Sequence, residues 1–206
     1  MSESRRLVLL RHGQTSWNRI DRVQGQLDAE LDETGREQAA AVAPVIAALA
    51  PAALWSSDSV RARETAGFLA KASGLEPTYD PRLREYFLAD REGLLHEEYA
   101  ALAPEEHAEF RLGNFDVVPG GETAEEVSAR MVEALHELLA SIAPGELAVA
   151  VSHGAAIRDA VPVLIGLPVT QRAVLHGLDN CAWVELDQAA PGLPLRLASY
   201  NRVVRG

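Results

Sequence analysis

Apolar residues in this chain fall into short unbroken runs separated by longer stretches of helical spacing. Residues 6–10 (RLVLL) and 147–151 (LAVAV) are continuous apolar runs, the pattern of strands buried on both faces. Residues 53–55 form a shorter run, and 76–80, 181–186 and 195–200 complete a set of predicted strands. Between them the spacing changes to that of helices. Residues 32–49 carry Thr34 and Glu37 at capping-box spacing before an alanine-rich body, which predicts a helix start there. Residues 59–73 predict another helix, stopped at Gly74, since glycine suits the left-handed C-cap. Thr123 and Glu126 repeat the capping-box spacing ahead of a long helix to about residue 142. In it Val127, Met131, Ala134, Leu135 and Leu138 recur on one face. Shorter helices are expected near 15–18, at 97–102 and 104–112, and at 155–165 before Gly166.

Strands alternating with helices predict βαβ units. The expected fold is α/β, a single-domain three-layer α/β/α arrangement with a mainly parallel central sheet. The 206 residues suit one core, and no repeat or linker divides them. Residues 81–119 break the alternation and are expected to form a cap or rim over a site.

Composition narrows the function classes. The net charge of −11 argues against nucleic acid or an anionic membrane as the main partner. No apolar run approaches the roughly 18–20 residues that span a bilayer. The opening segment is too short in apolar residues for a signal peptide, so a cytoplasmic location is expected. The one cysteine, Cys181, forms no internal disulfide and no multi-thiolate metal site. Of the 19 basic residues 18 are arginine and one, Lys71, is lysine. Lys71 lacks P-loop context, which argues against a Walker nucleotide site, and a Schiff-base mechanism is equally disfavoured. His96, His107, His136 and His176 lack paired ligand spacing, so they are read as surface or rim residues, and no metal or cofactor is expected.

The chemistry should lie beyond the carboxyl ends of the parallel strands. Two apolar strands end in His-Gly, one at Arg11-His12-Gly13 and the other at Ser152-His153-Gly154. If both are central and parallel, the two imidazoles emerge at one edge of the sheet, and each glycine lets backbone approach a ligand. A third strand feeds the segment from Ser57 to Thr65, which carries Arg61 and Arg63. Arg61 sits in a first helical turn, where the macrodipole disfavours a cation. It either forms a surface salt bridge, to Glu64 or Glu85, or faces the cleft with Arg11 as an anion fork. Two guanidiniums and two imidazoles around one pocket suit a phosphoryl group.

These residues resemble the RHG signature of the histidine phosphatase superfamily, the phosphoglycerate mutase-like family. The resemblance includes Asn18, Gln24-Gly25, the stretch from Ser56 to Thr65 and Leu83-Arg84-Glu85, and it ends at Ser152-His153-Gly154. It implies a phosphohistidine on His12, with Arg11, Arg61 and His153 binding phosphoryl oxygens. Asn18 and the backbone N–H of Gly154 would help, and Glu85 would donate the proton to the leaving oxygen. Gln24 and Gly25 would lie at the pocket rim. The implied activity is metal-independent hydrolysis of small phosphorylated metabolites. Phosphoglycerate mutase and a silent phosphate-binding protein are the alternatives. The N-terminal half is similar to small broad-specificity phosphatases, including those acting on glucosyl-3-phosphoglycerate. One departure stands out. Relatives often read Gly-x-Trp-x-Gly after the glutamate, whereas this chain has Ala89-Asp90-Arg91-Glu92-Gly93. Arg91 therefore either binds a second anionic group or faces solvent. An uncovered edge in the C-terminal strands would suit a homodimer.

Overall fold

The computed structural model describes residues 4–190 and 192–204. Its six strands are β1 (Arg5–Arg11), β2 (Ala53–Ser56), β3 (Thr78–Tyr79), β4 (Leu147–Ser152), β5 (Trp183–Gln188) and β6 (Arg196–Arg202). They form one sheet in the order β3-β2-β4-β1-β5-β6. β3, β2, β4 and β1 pair in parallel, and β5 runs antiparallel to both β1 and β6. The expected three-layer, mainly parallel architecture is present.

The continuous apolar runs divide between the two faces as strand pleating requires. Leu7 and Leu9 of β1, with Ala148 and Ala150 of β4, pack into one core with α6 (Ala124–Ala140) and α7 (Gly154–Leu164). Val8 and Leu10, with Val149 and Val151, pack into the other with α2 (Glu33–Ala47) and α3 (Val60–Ser73). β4 and β1 are the central pair, in register from Arg6 opposite Leu147 to Arg11 opposite Ser152. That register brings His12 and His153 out together at one sheet edge. Every later feature of the site follows from it.

Two expectations about elements are corrected. The start of α2 is capped by Asp32, whose side chain accepts the Gly35 N–H at 2.8 Å, rather than by Thr34. Asp32 is also tied to Gln14 by two 3.0 Å hydrogen bonds, so the cap doubles as an anchor for the loop after β1. The strand expected at 76–80 shrinks to Thr78–Tyr79, an exposed edge. Residues 81–119 carry α4 (His96–Leu102) and α5 (Pro104–Arg111) between irregular turns. The four-residue α1 (Ser16–Arg19) follows β1 and is capped by Thr15.

Candidate active site

A cavity of about 260 Å³ opens at the carboxyl ends of β1 and β4, where the strand order predicts it. Arg11, His12, Asn18, Gln24, Gly25, Arg61, Glu85 and Gly154 all line it. Residues far apart in sequence therefore meet in one place.

His12 is 3% exposed. Its Nδ1 lies 2.7 Å from the Gly13 carbonyl oxygen, which can only accept, so Nδ1 carries the proton and Nε2 is bare. The Arg61 Nε–H donates to that Nε2 at 3.3 Å. Burial, then the nearby charges of Arg61 and Arg11, hold the imidazole well below its ordinary value, so it is neutral at neutral pH. A neutral ring with an unprotonated nitrogen at the cavity is chemically able to act as a nucleophile once the Arg61 N–H turns to another acceptor.

Arg61 is 1% exposed and makes neither of the salt bridges that were open to it. Its NH1 and NH2 donate to the carbonyls of Leu27 and Gly25 at 2.8 and 2.7 Å. Burial lowers it to about 10, against the raising influence of Glu85 and Asp28. Thr65, four residues on, accepts the Gly13 N–H at 3.1 Å and donates to the Arg61 carbonyl at 2.8 Å. The Arg-Ala-x-x-Thr spacing thus clamps the start of α3 to the His12 loop. Arg63 turns away and stacks on Tyr79, 4.1 Å from the ring centroid. Arg11 NH1 donates to the Leu178 carbonyl, while its Nε is buried without a partner. Burial lowers its pKa, with Glu85 opposing.

His153 stands 5.1 Å from His12 between ring centroids, edge to face. It is fully buried and lies behind the cavity surface rather than lining it. Its Nε2 is 2.9 Å from the Ser57 hydroxyl and its Nδ1 has no partner. Burial, then Arg61 and His12, keep it well below its ordinary value. Gly13 makes room for protein backbone, and Gly154 makes room for Arg11 while lining the cavity. A Cβ on Gly13 would lie 2.5 Å from the Gly35 carbonyl oxygen, and one on Gly154 would lie 3.2 Å from Arg11 Nε.

Glu85 does not pair with Arg82 or Arg84. Its carboxylate accepts the N–H groups of Ala155 and Ala156 at 3.0 and 2.9 Å, in the first turn of α7, where orphan donors and the macrodipole favour an acid. Arg84 instead forms two 2.6 Å hydrogen bonds to Asp58, which they hold below its ordinary value. Arg130 donates to the carbonyls of Arg82, Arg84 and Glu85 and to Glu122. The loop bearing Glu85 is therefore fixed from two sides.

Asn18 Oδ1 accepts the Thr15 N–H at 3.0 Å, and Gln24 Oε1 accepts the Thr15 hydroxyl at 3.0 Å. Both close the turn after β1 at the cavity edge. Gly25 has φ +52°, and a Cβ there would run into the Glu92 carboxylate, so glycine is required. Glu92 in turn accepts the N–H groups of Gln26 and Leu88 at 2.8 and 3.0 Å.

Neither reading of Arg91 holds. It pairs with Glu106 at 2.8 Å, and its guanidinium lies 5.5 Å from the Tyr99 ring centroid. Sequence reasoning missed Arg22, which lines the cavity; His96, read as a surface or rim residue, lines it too, bonded to His107 at 3.0 Å. Arg22 stands two residues before Gln24, the extended-chain spacing that puts both on one side. That was the available signal. Among the described residues, no three His, Cys, Asp or Glu side chains gather to hold a metal ion, and no helix is long and apolar enough to cross a membrane.

Comparison with known proteins agrees with this geometry. The histidine phosphatase superfamily (branch 1) pattern matches residues 7–200. Glucosyl-3-phosphoglycerate phosphatase of Mycolicibacterium vanbaalenii is 42% identical over 188 residues, 88% of this chain and 84% of that protein. The Mycobacterium tuberculosis protein of the same name is 41% identical over 92% of this chain and 88% of its own length. A solved mycobacterial glucosyl-3-phosphoglycerate phosphatase in complex with VO3 superposes with a TM-score of 0.88 at 39% identity, covering 96% of this chain and 99% of that one. With that family match and these relatives, this chain belongs to the histidine phosphatase superfamily, as a phosphatase of its first branch.

Proposed function

We propose that the chain hydrolyses phosphomonoesters of small metabolites by transfer through His12, with residues 81–119 as a cap over the site. The observation that carries this reading is the tautomer of His12. The Gly13 carbonyl takes the Nδ1 proton and leaves Nε2 bare beside Arg61.

In the first step the Nε2 lone pair forms a bond to phosphorus as the P–O ester bond breaks. The Glu85 carboxyl protonates the departing alkoxide. In the second step Glu85, now a carboxylate, takes a proton from water, which attacks phosphorus as the N–P bond breaks and phosphate leaves. Arg11 and Arg61 stabilise the charge on the transferring group. Their orphaned or re-assignable N–H groups, the Asn18 amide and the Gly154 N–H surround that group, with His153 packed behind His12 and with Gln24 and Gly25 at its rim. The buried Arg11 Nε, left without a partner in the cavity lining, supports an anion site there.

The relatives' substrate makes glucosyl-3-phosphoglycerate the first compound to assay. Phosphorylated metabolites fit a cytoplasmic setting. The outer strand β6, with Leu197 exposed, supports a homodimer through that edge. The test is release of phosphate from p-nitrophenyl phosphate in EDTA, with vanadate as competitor and quenched-enzyme labelling of His12. His12→Ala is expected to lower kcat by about 10⁴-fold or more and to abolish labelling. Retained labelling in that variant would reject the nucleophile.

A further inference from the structure

Arg130 is devoted to one stretch of main chain. It stands on α6, half-buried. A guanidinium has five N–H donors, and all of those on Arg130 are engaged. NH1 donates to the carbonyls of Arg82 and Arg84 at 2.8 and 2.7 Å, and NH2 to that of Glu85 at 2.9 Å. The remaining N–H groups, on Nε and NH2, go to the two oxygens of Glu122, both at 2.8 Å. Glu122 in turn brackets Phe87. Its Oε2 accepts the Phe87 N–H at 2.8 Å, and its own N–H donates to the Phe87 carbonyl at 2.9 Å. Gln26 adds a 3.1 Å bond to the Glu85 carbonyl. Residues 84–88 belong to no helix or strand, so these side chains supply the partners that a ladder would otherwise give. Neither Arg130 nor Glu122 lines the cavity. What they hold is the main chain on both sides of Glu85.

We infer that Arg130, braced by Glu122, is a positioning residue for proton transfer to the leaving group, acting through Glu85 and touching no substrate. This rests on the phosphatase reading above, in which the Glu85 carboxyl gives its proton to the ester oxygen as the P–O bond breaks and keeps the electron pair as a carboxylate. The carboxylate is itself anchored by the N–H groups of Ala155, Ala156 and Tyr86. Those bonds suit the ionised form, whose two oxygens only accept. A carboxyl that carries the proton must turn one oxygen to the ester, and it gives up part of that anchor in the very state that donates. The grip on the carbonyls of residues 82, 84 and 85 does not depend on that proton. It keeps Glu85 in place when its own side chain lets go, and a displacement of about 1 Å costs on the order of 10²-fold in rate. The bidentate pair with Glu122 fixes the plane of the fork, which a lysine ammonium cannot reproduce.

The test measures kcat/KM, which includes departure of the leaving group, for phenyl phosphate and p-nitrophenyl phosphate. The two esters have nearly one shape, and phenol is the more basic leaving group. Arg130→Lys keeps the cation and loses the fork, and Glu122→Gln keeps the shape and loses the charged brace. In Arg130→Lys the loss on phenyl phosphate is expected to exceed that on p-nitrophenyl phosphate about 10-fold, with a smaller shift in the same direction in Glu122→Gln. In a Glu85→Gln background neither substitution should change the ratio further, because the residue they position no longer donates. The charge of Arg130 also bears on His153, but an effect by that route falls on the transferring group and slows both esters alike. An unchanged ratio in both variants overturns the positioning role, and so does a ratio change that persists undiminished beside Glu85→Gln. Should Arg130→Lys not fold, Glu122→Gln decides by the same ratio. Glu85→Gln alone, with Arg130 intact, tests the donor separately: an equal loss on both esters there would defeat Glu85 as the acid, and the positioning with it.

Discussion

At the base of the cavity, His12, His153 and Arg61 are enclosed by the two central strands and the starts of α3 and α7, each 3% exposed or less. The wall formed by residues 81–119 is held differently. There Arg91, Glu106 and Tyr99 share short hydrogen bonds, and the rings of His96, Tyr99, His107, Phe110 and Phe115 stack at 4.8 to 5.8 Å between centroids. The base draws its electrostatics from burial, which keeps both imidazoles neutral and lowers Arg11 and Arg61 against the opposing charge of Glu85. The wall keeps its charges paired with each other, Arg91 with Glu106 in a half-buried cluster that Tyr99 completes.

The sharpest way to break this contrast is to remove a cation from the base. Arg61→Ala is expected to lower kcat/KM by about 10²- to 10³-fold, measured with p-nitrophenyl phosphate. A wild-type-like variant would return Arg61 to a structural role. Stability should divide along the same line. Leu9→Ala, fully buried in β1, is expected to cost about 3 kcal/mol. Leu112→Ser, at 82% exposed on the wall, should stay within about 0.5 kcal/mol in urea denaturation.

The buried imidazoles also set the pH response. His12 and His153 have folded values below the ordinary one, so the unfolded chain binds more protons as pH falls. Their stabilisation is complete above about pH 6.5 and declines below it, by up to about 1.4 kcal/mol per unit for each ring. Urea midpoints from pH 7.5 to 5.5 should show this slope, and the His12→Asn/His153→Asn double variant should flatten it. The smallest effect is expected at the wall. Arg91→Ala should cost about 1 kcal/mol or less and change kcat/KM for p-nitrophenyl phosphate less than tenfold. A larger activity loss would place Arg91 in the site after all.

How far the sequence reaches follows from the range of the forces involved. The apolar runs of β1 and β4 and the capping box at Thr123 are local signals, and the six-strand, three-layer fold follows from them. The two His-Gly strand ends and Arg11 were legible because strand ends in a parallel sheet face one edge, whereas Glu85 was legible only through the resemblance to a known family and Arg61 was singled out over Arg63 by the same resemblance. The cap on α2 passed from Thr34 to Asp32 through contacts with Gln14, which local spacing cannot show. Which acid meets which arginine was beyond the sequence entirely. Glu106 claimed Arg91, Asp58 claimed Arg84 and Asp159 claimed Arg158, while Arg22 was left unclaimed at the cavity. Those pairings depend on through-space distance between segments far apart along the chain, and only the packed tertiary structure decides them.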